Sequence, residues 1–271
     1  MPANGYRSAC LTHRGRRPSN EDTVLTASLP GGGEVVAVAD GMGGHAAGDL
    51  ASRLAVDILI QELRAGAEIP QAFHDANSVV HETSQREAGC RGMGTTLVAV
   101  VSRGPSYQIA NVGDSRAYRI DGMGIQRITT DHSFVAEAVR SGGLSLEEAS
   151  RSPWRNALTR SLGTSTHAEA DLFGPFSARA TPHLVLLCSD GVHKVLSDAA
   201  IRQIALRAEN GTAAVGMLIT AAYQHDSDDN MTVAVVEFGS FFQPDDVPTE
   251  PLQMPAGRAG HSLNGKVAVA G

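Results

Sequence analysis

The chain has 271 residues, 42% of them hydrophobic, and a formal net charge of −7 at pH 7. A chain this long hides about three quarters of its unfolded surface, and its three cysteines (Cys10, Cys90, Cys188) are too few for a disulfide framework. The acidic balance excludes a general nucleic-acid binder, and no run nears the roughly 20 apolar residues of a membrane span; with no export signal at Met1–Gly5, a cytoplasmic protein is expected.

In chain order, the first clear element is a β-branched run at 34–39 that stops at Asp40-Gly41. Leu50, Leu54 and Ile58 recur at helical spacing and predict a helix over 46–63. A second helix is predicted over 71–87. Short strands follow at 95–102, 107–111, 116–120 and 125–129, joined by Gly- and Pro-containing turns. Residues 132–165 are polar and read as a small, partly helical insertion. A strand at 184–188, helices near 199–208 and 213–223, and a last strand at 231–238 complete the pattern. The proline-rich stretch after Gly239 predicts a disordered tail over 241–271. The grouping of strands and helices predicts an α+β sandwich with antiparallel sheets, contained in a catalytic domain at 1–240.

Two apolar runs end on the same dipeptide, Asp40-Gly41 and Asp190-Gly191. A third acid, Asp229, opens the strand at 231–238. One Asp-Gly alone is more simply a turn. If the last strand runs antiparallel to the other two, all three carboxylates meet at one rim. Like charges there repel, and a divalent cation resolves the conflict. An all-oxygen donor set suits Mg2+ or Mn2+, and neither His-Glu-x-x-His nor Cys-x-x-Cys is present for zinc.

Eight segments occur in a familiar order: Arg17-Pro18-Ser19-Asn20-Glu21-Asp22, Val38-Ala39-Asp40-Gly41-Met42-Gly43-Gly44-His45, Gly92-Met93-Gly94-Thr95-Thr96, Asn111-Val112-Gly113-Asp114-Ser115-Arg116-Ala117-Tyr118, Thr130-Asp131-His132-Ser133, Leu158-Thr159-Arg160-Ser161-Leu162-Gly163, Cys188-Ser189-Asp190-Gly191 and Asp229-Asn230-Met231-Thr232. Together they resemble the PPM (type 2C) metal-dependent serine/threonine phosphatases, most of all the bacterial ones. The resemblance implies a four-layer αββα sandwich, two antiparallel sheets flanked by helices, with residues 132–165 as a small flap subdomain. It implies two Mn2+ or Mg2+ ions, with a third in bacterial members. Asp40 would bridge the pair, Asp190 and Asp229 would complete the first ion's ligands, and Asp22 and the Gly41 carbonyl would hold the second. Asp131 is expected at the third. Water activated between the ions would attack phosphorus, and Arg17 would grip the phosphate. Substrates would be phosphoproteins, with a serine/threonine kinase as antagonist, and the protein would be a monomer.

Some members place a histidine after this Asp-Gly, as general acid; Met42 stands there, so the acid is left unassigned. His45 reads as structural. Asp114 and Arg116 are expected to form an ion pair supporting a sheet. His193-Lys194 suggests a basic rim of no evident purpose. Three rivals are weighed. Cys10 and Arg16 fit Cys-x5-Arg, but without a phosphate loop. Gly260–Lys266 mimics a nucleotide loop that no strand precedes. A member without activity, serving only to bind, should have lost a metal aspartate, and none is missing.

Overall fold

A computed structural model describes residues 6–44, 46–179, 181–242 and 266–270. The first half contains β1 (Tyr6–His13), β2 (Asp22–Leu29), β3 (Gly33–Met42), α1 (Ala46–Ala65), α2 (Ile69–Arg86), the two-residue β4 (Gly94–Thr95), β5 (Leu97–Arg103) and β6 (Ser106–Val112). Next come β7 (Arg116–Asp121), β8 (Ile125–Arg127), α3 (Phe134–Arg140), α4 (Leu146–Arg151) and β9 (Asp171–Ser177). The chain continues with β10 (His183–Cys188), α5 (Asp190–His193), α6 (Asp198–Arg207), α7 (Gly211–Gln224), β11 (Met231–Phe238) and β12 (Lys266–Ala270). One sheet has the order β12-β1-β11-β10-β7-β8, the other β2-β3-β5-β6-β9, and all pairings are antiparallel.

Side-chain alternation builds the layers. Val36 and Val38 of β3 meet Val185 and Leu187 of β10 and Val236 of β11 between the sheets. The alternate residues Val35, Ala37 and Ala39 face Leu59, Phe73 and Val80 of α1 and α2. On the other side Leu184, Leu186 and Val235 pack on Ile201 and Leu218 of α6 and α7. Central strands buried on both faces are why these runs are apolar throughout rather than alternating. The expected four-layer αββα sandwich is what the chain forms.

The insertion between β8 and β9 carries α3 and α4. Ser133 caps α3, its hydroxyl accepting from the Ala136 N–H, and Ser145 with Glu148 forms a capping box at α4.

The sequence leaves β1, β2 and β9 unread. β1 is built around Ser8, Ala9 and Cys10, small residues without strand signal. β9 contains Gly174-Pro175, which reads as a breaker, and Pro is tolerated because β9 is an edge strand. At the C-terminus, where a disordered tail is expected, residues 266–270 add β12 to β1, with Ser8 opposite Ala270 and Thr12 opposite Lys266. The Val-Ala-Val-Ala run there has the β-branched content a strand favours. Residues 243–265 lie outside the described residues. Among the described residues no helix is long and apolar enough to cross a membrane.

Candidate metal centre

Strand direction gathers the acids. β10 ends at Cys188, and Asp190 opens α5 two residues on. β11 is antiparallel to β10, with Cys188 opposite Val233, so Asp229, two residues before its start, arrives at the same end. In the facing sheet β2 pairs with β3 so that Asp22 stands opposite Asp40. Two glycines permit the close approach. A Cβ on Gly191 would lie 2.0 Å from the Asn230 carbonyl oxygen, and one on Gly41 would lie 2.0 Å from that of Gly48. Only glycine fits either place.

The carboxylates act on one another. Burial raises Asp40 well above the usual range, helped by the charges of Asp22, Asp190, Asp114 and Asp229. Burial, with Asp190 and Asp229, pushes Asp22 up to about 7 against a 2.8 Å hydrogen bond donated by the Ser189 hydroxyl. Asp229 is raised by burial and by Asp190. Asp190 goes the other way. Burial opposes its ionisation, but the Lys194 ammonium on its Oδ2 outweighs that and holds it below the usual range.

This donor set fits divalent ions of the Mg2+ and Mn2+ kind. Every candidate ligand is an oxygen, and Asp22 Oδ1 and Asp190 Oδ1 are buried with no hydrogen-bond partner among the described residues. Buried acceptors are seldom left unpaired. Among the described residues no three His, Cys, Asp or Glu side chains close into a finished cage. Two of the carboxylates turn to cations of the chain, Asp190 to Lys194 and Asp229 to Arg17.

Arg17 reaches this rim from the β1–β2 loop. Its Nε donates to the Asp228 carbonyl at 2.7 Å and its terminal nitrogen to Asp229 Oδ2 at 2.8 Å. The loop is fastened by Asn230. The Asn230 amide nitrogen donates to the carbonyls of Arg14 (2.8 Å) and Ser19 (2.9 Å), and its oxygen accepts from the Glu21 N–H at 2.8 Å.

One expected pairing differs in the structure. Asp131, expected at a third ion, has its carboxylate engaged by Arg116, Nε at 3.0 Å and the terminal nitrogen at 2.7 Å, with Arg127 at 3.6 Å. Burial raises its pKa, but the Arg116 bonds more than offset this and the net shift is downward. Asp114, expected to pair with Arg116, instead joins the acid cluster. Burial and the Asp190 charge push it up to about 7. The cause is geometric: Asp114 precedes β7, whereas Arg116 lies in it and reaches Asp131 beyond β8. Strand spacing alone does not reveal that pairing.

The expected basic rim is half right. His193 is buried and neutral near pH 7, its pKa lowered to about 4 chiefly by burial, and its Nε2 donates to the Asp114 carbonyl at 2.9 Å. Lys194 alone brings charge. His45 lies outside the described residues. Cys10 is buried within strand β1 rather than set at the start of a helix. Most of the Gly260–Lys266 stretch also lies outside the described residues.

The profile of the protein phosphatase 2C family matches residues 11–214. The serine/threonine phosphatase stp of Listeria monocytogenes serotype 4b (strain F2365) is 37% identical, over 83% of this chain and 93% of its own. Among solved structures, a bacterial serine phosphatase superposes with a TM-score of 0.79 at 31% identity, covering 89% of this chain and 99% of the other. The catalytic domain of the serine threonine protein phosphatase PstP, in complex with two manganese ions, gives 0.75 at 32% identity, covering 86% and 97%.

Proposed function

This chain belongs to the protein phosphatase 2C family and is a serine/threonine phosphatase; from that premise we propose that it hydrolyses phosphoserine and phosphothreonine in proteins with Mn2+ or Mg2+ held at the acidic rim. The observation that carries the metal assignment is the crowding of Asp22, Asp40, Asp190 and the half-exposed Asp229, with two buried carboxylate oxygens that lack a hydrogen-bond partner among the described residues. Asp40, which feels the charges of all the other acids of the cluster, would help hold the ions. Asp190 and Asp229 would complete one ligand set, Asp22 and the Gly41 carbonyl the other. Asp114 is also drawn into the cluster electrostatically, while Asp131 faces Arg116. Ions bound there supply Lewis acidity and an activated water.

The rest is the work of the chain's own groups. The half-exposed Arg17 guanidinium stands beside the cluster, where it can exchange Asp229 for two phosphate oxygens. Asn230 holds the Arg17 loop in place for that contact. The Ser189 hydroxyl, donating to Asp22 and accepting from the Thr232 N–H at 3.0 Å, fixes the orientation of that carboxylate.

A cytoplasmic protein that opposes a serine/threonine kinase is the setting this reading favours. The test is hydrolysis of a phosphothreonine peptide titrated with Mn2+ and with Mg2+. Activity should rise from the EDTA-treated baseline and saturate. A flat response to both ions would leave the chain a binding module without chemistry.

A further inference from the structure

Lys194 is four residues after Asp190, so α5 places the ammonium beside that carboxylate. The ammonium donates to Asp190 Oδ2, and also to Asn156 Oδ1 at 2.9 Å. Asn156 is exposed and belongs to the flap, beyond the end of α4. One side chain therefore joins the acidic rim to the flap. The carboxylates of Asp114 and Asp40 are also within electrostatic reach of it. Asp22, Asp40, Asp114, Asp190 and Asp229 carry five negative charges when ionised. Two divalent ions supply four positive charges, and the Lys194 ammonium a fifth, which leaves Arg17 free to exchange Asp229 for phosphate.

We propose that Lys194 is a resident cation of the centre: it holds the ground between Asp190 and Asp114 that a third ion would need, limits the centre to two divalent ions, and pins the flap through Asn156. The inference rests on the metal-dependent reading above. Lys194 acts here as a positioning residue. An ammonium and a divalent ion compete for the same carboxylate oxygen, so an uncharged side chain at 194 opens the place to an ion.

The test counts ions directly, by calorimetric titration of the EDTA-stripped full chain with Mn2+, and follows the flap by amide hydrogen exchange. The wild type should take two ions. Lys194→Met should take three, and adding Asp114→Asn should bring the count back to two. Lys194→Arg should stay at two. Flap exchange should quicken about tenfold in Lys194→Met and also in Asn156→Ala, which cuts only the tether and keeps two ions. A wild type that takes three ions overturns the proposal, as does a folded Lys194→Met that takes two. Unchanged flap exchange in both Lys194→Met and Asn156→Ala overturns the pinning. A wild type that binds no Mn2+ overturns the metal reading itself, and this one with it.

Discussion

The two ends of the inter-sheet core are built on opposite rules. At one end the start of β10 and the end of β11 bring His183 and Phe238 against Tyr107, with the Tyr107 and Phe238 rings stacked at 4.4 Å. Polar atoms there are paired: the Tyr107 hydroxyl lies 2.9 Å from His183 Nε2, and His183 Nδ1 donates to the Thr181 carbonyl at 2.9 Å. At the other end the same strands deliver Asp190 and Asp229 into a crowd of like charges with unpartnered oxygens. The closed end has the packing that stabilises a fold. The acidic end is costly for the protein alone and makes sense only with a cationic ligand. The sheets carry both, because rigid strand ends hold repelling groups that a loop would let drift apart.

Changes at the two ends should therefore have separable effects. The largest is expected at the acidic end: Asp190→Ala should lower metal-dependent peptide hydrolysis on the order of 10^3-fold, about 4 kcal/mol of transition-state stabilisation, with little loss of folding stability. A large drop in melting temperature instead would mean that the acid serves the fold. Phe238→Ala at the closed end should do the reverse, costing about 3–5 kcal/mol of stability in denaturant titration while the folded fraction keeps its turnover.

Next in size is a pH effect confined to the acidic end. Asp22 and Asp114 have native pKa values pushed up to about 7, from an ordinary 3.8. The native state then holds protons that the unfolded chain gives up. Their contribution to stability is full below about pH 4 and is lost as pH rises through about 7. The EDTA-treated protein should melt lower at pH 8 than at pH 5, by on the order of 5 °C. Saturating Mn2+ should flatten or reverse that slope in scanning fluorimetry. A slope of the opposite sign without metal would refute the crowding. The smallest effect is Tyr107→Phe, which leaves His183 Nε2 unpaired for about 1 kcal/mol and a melting shift of a few degrees, with activity intact.

Much of this contrast is legible in the sequence, for physical reasons that differ by residue. β3, β10 and β11 stand out because burial on both faces demands unbroken apolar runs, and Asp40 and Asp190 stand out because they end two of them. β1 and β9 do not: one is made of small residues, the other holds Gly174-Pro175 at an edge. The pairing of Arg116 with Asp131 is also invisible, because it depends on where Arg116 points across the sheet, a tertiary choice no local spacing records. The tyrosine–histidine pair at the closed end escapes for the same reason, its members lying 76 positions apart in the chain.

Asn230 shows how narrowly such a rim can be specified. Its amide gives two hydrogens and receives one, and all three bonds hold the strip of chain from Arg14 to Glu21 in register with β11. Aspartate has almost the same outline but no hydrogens to give, so Asn230→Asp would set a negative oxygen against two carbonyls. A single-atom exchange, nitrogen for oxygen, would thus unfasten Arg17 and Asp22 together while leaving every acidic residue in place.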